Sequence, residues 1–311
     1  MQCSRPNRFG YHSCVTEQRR ILCFGEALWD MLPGGRVASG APMNVALRLA
    51  QSGYDVRMLS RVGADALGTE LLVFMAANGL PTDFVQRDDR QPTGTVEVDT
   101  TDPGAPEFDL VMPVAWDFID ADEYLHKADS AADVLVFGSL AARHEVSRDS
   151  LLRLLPTAEL RIFDVNFRPP HDDRQVIELL LRHANWTKVN ETELAAIAGW
   201  HGLTGSAEVT ARDLVDRYDL SLLCVTLGDE GALLIHDGKT YRQDAFAVDV
   251  IDAVGCGDAF LGTLIAGLLA GAAPAETLAR AAAVGALVAA SAGATPSIDD
   301  DDIRRIIAGN N

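Results

Sequence analysis

Short apolar runs alternate along the chain with longer segments whose apolar residues recur at helical spacing. Residues 21–25 form such a run and end in glycine, which is typical of a buried strand. Residues 40–52 then show helical spacing, and 55–62 predict a second strand. A second helix is predicted over 65–78, because Gly79 follows as a stop signal.

The pattern changes between Thr93 and Pro113. Residues 95–99 alternate with a period of two, 101–106 are rich in turn formers, and 108–112 can return as a strand. This segment predicts an exposed β-hairpin inserted in the alternating chain.

Strands and helices alternate again after this hairpin. Strands are predicted at 134–137, 161–165, 187–189 and 222–226, with helices at 175–183, 210–218 and 303–308 and a helical segment over 255–291 that breaks near 271–274. Such alternation implies parallel βαβ units, with helices on both faces of the sheet. The fold class is therefore α/β.

Composition and charge narrow the function classes. The chain has 311 residues, of which 48% are hydrophobic and 23% charged, as in ordinary globular domains. Twenty-six basic residues against 45 acidic ones give a formal net charge of −19. This field repels a polynucleotide, so we expect no nucleic-acid partner. A small phosphate ligand remains compatible, because backbone N–H groups and a metal ion can bind it locally.

Cysteines and termini add expectations about location. The five cysteines contain no C-x-x-C pair, which argues against a disulfide framework and a zinc ribbon. The first 20 residues have four arginines but no apolar core, unlike a signal peptide. The longest apolar stretch, 259–273, has 15 residues, whereas a membrane span needs about 20. We expect a cytoplasmic protein without a membrane partner, with a flexible leader at 1–20 and one domain over 21–311.

The strongest chemical signal precedes the long helical segment. Gly255 and Gly257 let the backbone approach a ligand closely, and the helix that follows supplies unpaired N–H groups, so an anion site is predicted. Asp258 could then accept the proton of an attacking hydroxyl while the N–H groups stabilise a transferring phosphoryl group. The structural alternative is a glycine-rich turn in which Asp258 caps the helix.

Competing motifs fail on spacing. Residues 238–240 resemble the end of a Walker A loop, but Leu233 occupies the position of its first glycine. A zinc-protease motif that would start at His144 fails because Arg148 stands at its second histidine position. The seven histidines show no metal-ligand spacing.

Further segments occur in the order of one enzyme family. They are 26–30, 39–44, 164–168, 188–193, 225–231 and 252–260. With them the chain resembles the ribokinase-like (PfkB) carbohydrate kinases over roughly residues 21–308, and it is most similar to the fructokinase branch. The resemblance implies a three-layer fold with a mostly parallel central sheet, helices on both faces, and a small β lid. The lid would be formed mainly by about 93–113 plus nearby strands, and it suggests a homodimer contact.

The same resemblance implies the catalytic roles. Asp258 would be the base, and Gly255, Cys256 and Gly257 would supply the amides that stabilise the transferring phosphoryl group. Arg168 would hold a phosphate or a substrate oxygen with its planar donor fork. The alternative for Arg168 is a structural ion pair.

Sugar recognition is implied for a second set of residues. Asp30, Gly40, Asn44 and Thr95 would bind the sugar together with Asp258. An aspartate and an asparagine can accept from and donate to adjacent hydroxyls. The alternative is a turn aspartate and an N-cap asparagine.

Nucleotide and metal roles follow from the resemblance too. Asn190, Thr226 and Gly228 would border ATP, together with Gly255 and Gly257, and Glu193 would organise Mg²⁺ through water. The alternative for Asn190 and Glu193 is a helix-capping pair. A K⁺ site is suggested at Asp252, Val254, Gly293 and Ser297.

Three residues depart from the family pattern. Ser39 replaces a glycine, Ala253 stands where threonine is usual, and Cys256 replaces an alanine. None removes a proposed catalytic atom. A cysteine at a helix N-terminus is expected to have a lowered pKa, which predicts sensitivity to thiol reagents.

The sequence thus predicts an ATP- and Mg²⁺-dependent kinase that phosphorylates a primary hydroxyl of a sugar, with D-fructose as the leading candidate. Alternative acceptors are 2-keto-3-deoxygluconate, ribose and a nucleoside. A non-catalytic sugar or nucleotide sensor is the alternative class. Such a sensor is expected to lose the base or the glycine loop, and both are present.

Overall fold

The computed structural model describes residues 19–32, 34–99, 107–127 and 132–309. Its strands are β1 (Arg20–Phe24), β2 (Leu28–Leu32), β3 (Gly35–Ser39), β4 (Asp55–Gly63), β5 (Val85–Asp88), β6 (Gly94–Asp99), β7 (Glu107–Leu110), β8 (Val134–Gly138), β9 (Leu160–Asp164), β10 (Trp186–Asn190), β11 (Leu222–Thr226), β12 (Ala232–His236) and β13 (Lys239–Gln243). Its α-helices are α1 (Ala41–Gln51), α2 (Ala66–Ala77), α3 (Asp122–His126), α4 (Glu145–Leu154), α5 (Arg174–His183), α6 (Glu191–Trp200), α7 (Ala207–Tyr218), α8 (Cys256–Leu269), α9 (Pro274–Ala289) and α10 (Asp300–Gly309).

A large mixed sheet forms the centre, in the order β13-β12-β11-β10-β9-β8-β1-β4-β5. All neighbours from β11 to β5 are parallel, and β12 and β13 continue the sheet antiparallel. In the middle, Ile21 of β1 lies opposite Val56 on one side and Val134 on the other. The predicted mostly parallel α/β sheet is confirmed.

Helices cover both faces of this sheet, because successive strand side chains point to opposite faces. Leu22 and Phe24 pack with apolar residues of α4, α5, α6 and α7. Ile21 and Cys23 pack on the other face with residues of α1, α2 and α8. The three layers expected from the sequence are therefore present.

A second, four-stranded sheet has the order β3-β2-β6-β7. The antiparallel pair β6–β7 is the predicted hairpin, and its residues 100–106 lie outside the described residues. β2 pairs parallel with β6 and antiparallel with β3, and the sequence pattern missed both β2 and β3. The Trp29 Nε1–H donates to the Leu67 carbonyl of α2 at 3.0 Å, and Arg36 forms an ion pair with Glu70. These two contacts attach the small sheet to α2.

The segment that resembled a Walker A loop is a hairpin turn. Asp237 and Gly238 join β12 to β13 with φ angles of 49° and 71°, the left-handed conformations that two-residue hairpin loops favour. Gly238 thus lies in the turn, Lys239 and Thr240 begin β13, and the segment forms no phosphate loop. Among the described residues, no helix is long and apolar enough to cross a membrane.

Candidate active site

The N-terminus of α8 forms the floor of the site. Gly255 is its N-cap, with φ +76°, and no side chain caps the helix. A Cβ at Gly255 would lie 2.5 Å from the Ala294 carbonyl oxygen, so both the backbone conformation and the close approach require glycine. The N–H groups of the first helical turn lack partners within the helix and can face an anion.

Asp258 is held in this first turn by an asparagine from the other half of the chain. Asn44 Nδ2 donates to Asp258 Oδ2 at 2.8 Å. Asn44 lies within α1, whose N-cap is Gly40, so the N-cap alternative for Asn44 is wrong. Burial raises the pKa of Asp258 to about 6, and the nearby Asp164 adds to that effect. The Asn44 hydrogen bond and the positive charges of Lys188 and Arg168 act in the opposite direction.

A buried ion pair missed from the sequence lies beside Asp258. Lys188 Nζ donates to Asp164 Oδ1 at 3.0 Å, and the two residues are direct neighbours on β10 and β9. A Cβ at Gly257 would lie only 3.3 Å from Lys188 Nζ, so this glycine makes room for the ammonium group. Burial opposes the charge of Lys188, but Asp164, Glu193 and Asp258 outweigh it, and its pKa is raised. A lysine at the centre of a predicted buried strand was the available sequence signal.

Asn190 and Glu193 form a reciprocal capping box at the start of α6. Asn190 Oδ1 accepts from the Glu193 N–H, and Glu193 Oε2 accepts from the Asn190 N–H, both at 2.8 Å. Glu193 Oε1 also accepts from the Phe167 N–H at 2.8 Å, which ties the loop after β9 to α6. Burial is the main cause that raises the pKa of Glu193. Asn190 and Glu193 thus form the helix-capping pair that was the alternative interpretation. The role of Glu193 towards Mg²⁺ stays a prediction.

Asp30 and Thr95 lie on the small sheet rather than directly after β1. Asp30 is half-buried on β2, where burial raises its pKa and a hydrogen bond from the Ser39 side chain lowers it. Thr95 lies on β6 opposite Trp29. Ser39, which stands where the family pattern has a glycine, therefore donates a hydrogen bond to the Asp30 carboxylate.

Arg168 is exposed in the middle of the loop that joins β9 to α5. Its Nη1 donates to the neighbouring Phe167 carbonyl at 2.9 Å. Its charge partly offsets the burial that raises the pKa values of Glu26, Asp30 and Asp258, so its guanidinium lies near these three carboxylates. The structural ion-pair alternative has no support among the described residues, where Arg168 forms no salt bridge.

The remaining predicted residues fall into two places. Asn190 and Thr226 are register neighbours at the ends of β10 and β11, and the exposed Gly228 follows with φ +60°. Asp252 joins two loops, because its Oδ1 accepts from the Val254 N–H at 2.9 Å and its Oδ2 from the Gly293 N–H at 3.2 Å.

The fourth residue of the suggested K⁺ site, Ser297, is exposed. It takes no part in the Asp252 bridge between the two loops. The structure thus brings three of these four residues together.

Comparison with known proteins identifies the family. The sequence profile described as pfkB family carbohydrate kinase matches residues 22–301. The chain belongs to this family. It is 31% identical over 312 residues to a fructokinase of Klebsiella pneumoniae, covering 92% of this chain and 98% of that protein. It is 29% identical over 317 residues to a 2-dehydro-3-deoxygalactonokinase of Haloferax volcanii, covering 93% and 96%.

Solved structures share the fold of this pfkB-family chain. The fructokinase of Xylella fastidiosa with bound ATP has a TM-score of 0.82 at 24% identity, covering 94% of this chain and 99% of that one. The fructokinase of Vibrio cholerae with fructose, ADP and calcium ion also has a TM-score of 0.82, covering 93% and 99%. The predicted ribokinase-like fold and phosphotransferase class are confirmed.

One expectation about this pfkB-family site is wrong. The sequence suggested that the helix N-terminus would lower the pKa of Cys256. Burial instead raises that pKa, and the neighbouring Asp258 charge raises it further. Burial outweighs Lys188 and the backbone N–H groups, which lower this pKa, so Cys256 is not an activated thiol.

Buried oxygens around Asp258 have unused hydrogen-bonding capacity. Within the described ranges, Glu26 Oε2, Asn44 Oδ1 and Asp164 Oδ2 are buried without a hydrogen-bond partner. Buried polar atoms are nearly always satisfied in folded proteins. These three oxygens can therefore accept hydrogen bonds from a ligand.

Proposed function

We propose that this kinase transfers the γ-phosphoryl group of ATP to a primary hydroxyl of D-fructose. The observation that supports it best is the placement of Asp258, held by Asn44 at the uncapped N-terminus of α8. A sugar hydroxyl beside Asp258 would meet both a proton acceptor and the N–H groups that stabilise phosphoryl oxygens.

The proposed step is direct transfer in line. The sugar oxygen forms a bond to the γ-phosphorus as the bond to the β-phosphate oxygen breaks, which releases ADP. The hydroxyl proton passes to Asp258 as the new bond forms. A carboxyl with a pKa of about 6 is mostly ionised at pH 7 and is a stronger base than an ordinary aspartate.

Positive charge at the site comes from two sides. Lys188, buried next to Gly257, and Arg168, on the loop after β9, both act on Asp258. We infer that these two side chains stabilise the negative charge that spreads over the transferring group. Asn190, Thr226 and Gly228, at the ends of β10 and β11, would border ATP.

Mg²⁺ fits the carboxylates that lie here. This ion keeps several waters and usually takes one or two carboxylates plus substrate phosphates. Among the described residues no group of three or more potential metal ligands occurs. Asp164, with its unpartnered Oδ2, would hold the ion with the ATP phosphates, and Glu193 would organise it through water. The ion would neutralise phosphate charge.

D-fructose is favoured because relatives named fructokinase match over nearly the whole chain. A second candidate acceptor is a 2-keto-3-deoxy sugar acid. It is favoured by the exposed Arg168 guanidinium near Asp30, which could pair with a carboxylate, and by the similarity to the Haloferax volcanii enzyme.

A coupled ADP-release assay with ATP and Mg²⁺ against neutral and acidic sugars tests this proposal. We expect turnover with D-fructose, and a kcat lower by about 10²–10⁴-fold in Asp258→Asn with ATP binding retained. Asp249→Asn, an exposed residue of the preceding loop, is the matched control. Turnover with sugar acids alone would favour the second candidate, and an unchanged kcat in Asp258→Asn would exclude the mechanism.

A further inference from the structure

Glu26 is a buried carboxyl that the mechanism above does not use. Only 2% of its surface is exposed, and its Oε2 has no hydrogen-bond partner among the described residues. Burial raises the pKa of this carboxyl to about 7. Leaving a buried polar atom unpaired costs free energy, so its retention calls for a ligand.

The backbone around Glu26 is clamped in place. A Cβ at Gly25, whose φ is +144°, would lie 2.7 Å from Pro42 Cγ of α1. A Cβ at Gly40 would collide with the Glu26 carbonyl oxygen. The two glycines therefore fix Glu26 against the start of α1, the helix that carries Asn44.

Glu26 also lies at the edge of the sheet where the site is built. It follows β1, a central parallel strand, and ligands of open α/β sheets bind beyond the carboxyl ends of such strands. The charges of Arg168, Asp258 and Arg143 act on its pKa, so Glu26 lies near the proposed base and the loop after β9.

The charge of Glu26 indicates which of the two substrates, ATP or the sugar, it would bind. A carboxylate would repel the phosphates of ATP, whereas it accepts a hydrogen bond from a neutral hydroxyl, or donates one when protonated. In the proposed step, the reacting hydroxyl of the sugar gives its proton to Asp258. Glu26 is thus suited to a different hydroxyl of the same sugar.

We propose that Glu26 Oε2 binds a non-reacting hydroxyl of the acceptor sugar and so determines acceptor specificity. This assignment rests on the proposed sugar-kinase function. It adds a substrate contact beyond Asp30, Gly40, Asn44 and Thr95.

Kinetics with deoxy sugars test this contact. The acceptor is D-fructose, or the sugar that the wild type phosphorylates fastest in the panel, together with its monodeoxy analogues, each lacking one non-reacting hydroxyl. Wild type, Glu26→Ala and Glu26→Gln are compared, and Glu97→Gln, on an exposed position of β6, is the control. ATP binding and thermal melting of each variant report whether it is folded.

In the wild type we expect one analogue to lose about tenfold or more in kcat/KM relative to the parent sugar. In Glu26→Ala the parent should fall by a similar factor, and that analogue should no longer be penalised, with KM for ATP unchanged. Glu26→Gln, which keeps a hydrogen-bonding group, should recover part of the loss.

Equal analogue selectivity in wild type and Glu26→Ala would overturn the assignment, and so would a wild type that distinguishes none of the analogues. If Glu26→Ala does not fold, Glu26→Asp, which withdraws the carboxylate by one methylene group, takes its place, and unaltered selectivity in that variant would overturn the assignment. A wild type that phosphorylates no sugar would overturn the proposed function itself.

Discussion

At the scale of single residues, the site depends on how burial and charge set the protonation of Asp258. Its raised pKa means that the base is lost as the pH falls through about 6, rather than near the 3.8 of an ordinary aspartate. The charged groups that act on it are Asp164, Lys188 and Arg168. We expect log(kcat/KM) to decline on the acid side of about pH 6.

Replacing Lys188 should shift the acid limb of the pH profile, which is the range in which kcat/KM declines as the pH falls. Lys188→Met removes a positive charge that stabilises the ionised Asp258, so the limb should shift to higher pH. Measuring both profiles in a Glu26→Gln background removes the second carboxyl that titrates nearby, whose pKa is about 7. A limb that stays at the wild-type pH in Lys188→Met would contradict this electrostatic account.

Asp258 should also lower the stability of the fold at neutral pH. Its native pKa of about 6 exceeds the ordinary 3.8, so the native state binds the proton more tightly. The free energy of unfolding therefore falls as the pH rises from 3.8 to about 6. Asp258→Asn should raise the free energy of unfolding at pH 8 by about 1–3 kcal/mol and have little such effect near pH 4. Denaturant unfolding at the two pH values measures this, and a destabilised variant at pH 8 would contradict it.

At the scale of elements, the junction before α8 is the most constrained turn of the site. Gly255 and Gly271 have nearly the same φ, +76° and +75°, but only a Cβ at Gly255 meets other atoms. Alanine at Gly271 should cost roughly 1–2 kcal/mol from its backbone conformation alone. Alanine at Gly255 should cost more and should reduce kcat, because the contact with Ala294 would displace the N–H groups of the helix.

Unfolding and turnover of the two alanine variants separate these effects. Equal losses of stability, with kcat retained in both, would show that the contact with Ala294 has no influence on the site. A larger loss for Gly255→Ala is the expected result.

Elements also show what the sequence could predict. The buried strands and amphipathic helices of the central layers follow directly from their apolar spacing. β2 and β3 were missed because the polar Asp30 and Ser39 on them were assigned to motifs rather than to strands. Lys188 was missed because a charged residue inside β10 is paired only with Asp164, a neighbour from a different strand. Which residues face each other on adjacent strands depends on the pairing register of the sheet, and the hydrophobic pattern of a single sequence does not give that register.

At the scale of the whole molecule, the small sheet, which the resemblance predicts to be a lid, contacts α2 of the central layers. The Trp29 hydrogen bond to Leu67 is partly buried and lies next to Asp30 in sequence. Trp29→Phe removes this donor, so we expect KM for the sugar to rise several-fold, from a loss of about 1 kcal/mol, while KM for ATP stays unchanged. Trp186→Phe is the control, because Trp186 begins β10, at the end of that strand away from Asn190 and the site. Parallel changes in both KM values would show that Trp29 acts on the fold as a whole.

The predicted dimer contact through this lid stays a prediction. β3 and β7 are the edge strands of the small sheet, and edge strands present unpaired backbone groups.

The parallel pairing of β2 with β6 has a consequence for how the chain acquires its structure. The two strands are separated in sequence by β3, α1, β4, α2 and β5, so their contact closes a long loop, as does the pairing of β1 with β8. The strands from β8 to β13, in contrast, each pair with the next strand along the chain. Closing long loops costs more entropy and is favourable only after the intervening parts are ordered. A refolding chain should therefore regain β8 to β13, which carry residues proposed to border ATP, first, and the small sheet with its affinity for sugar last.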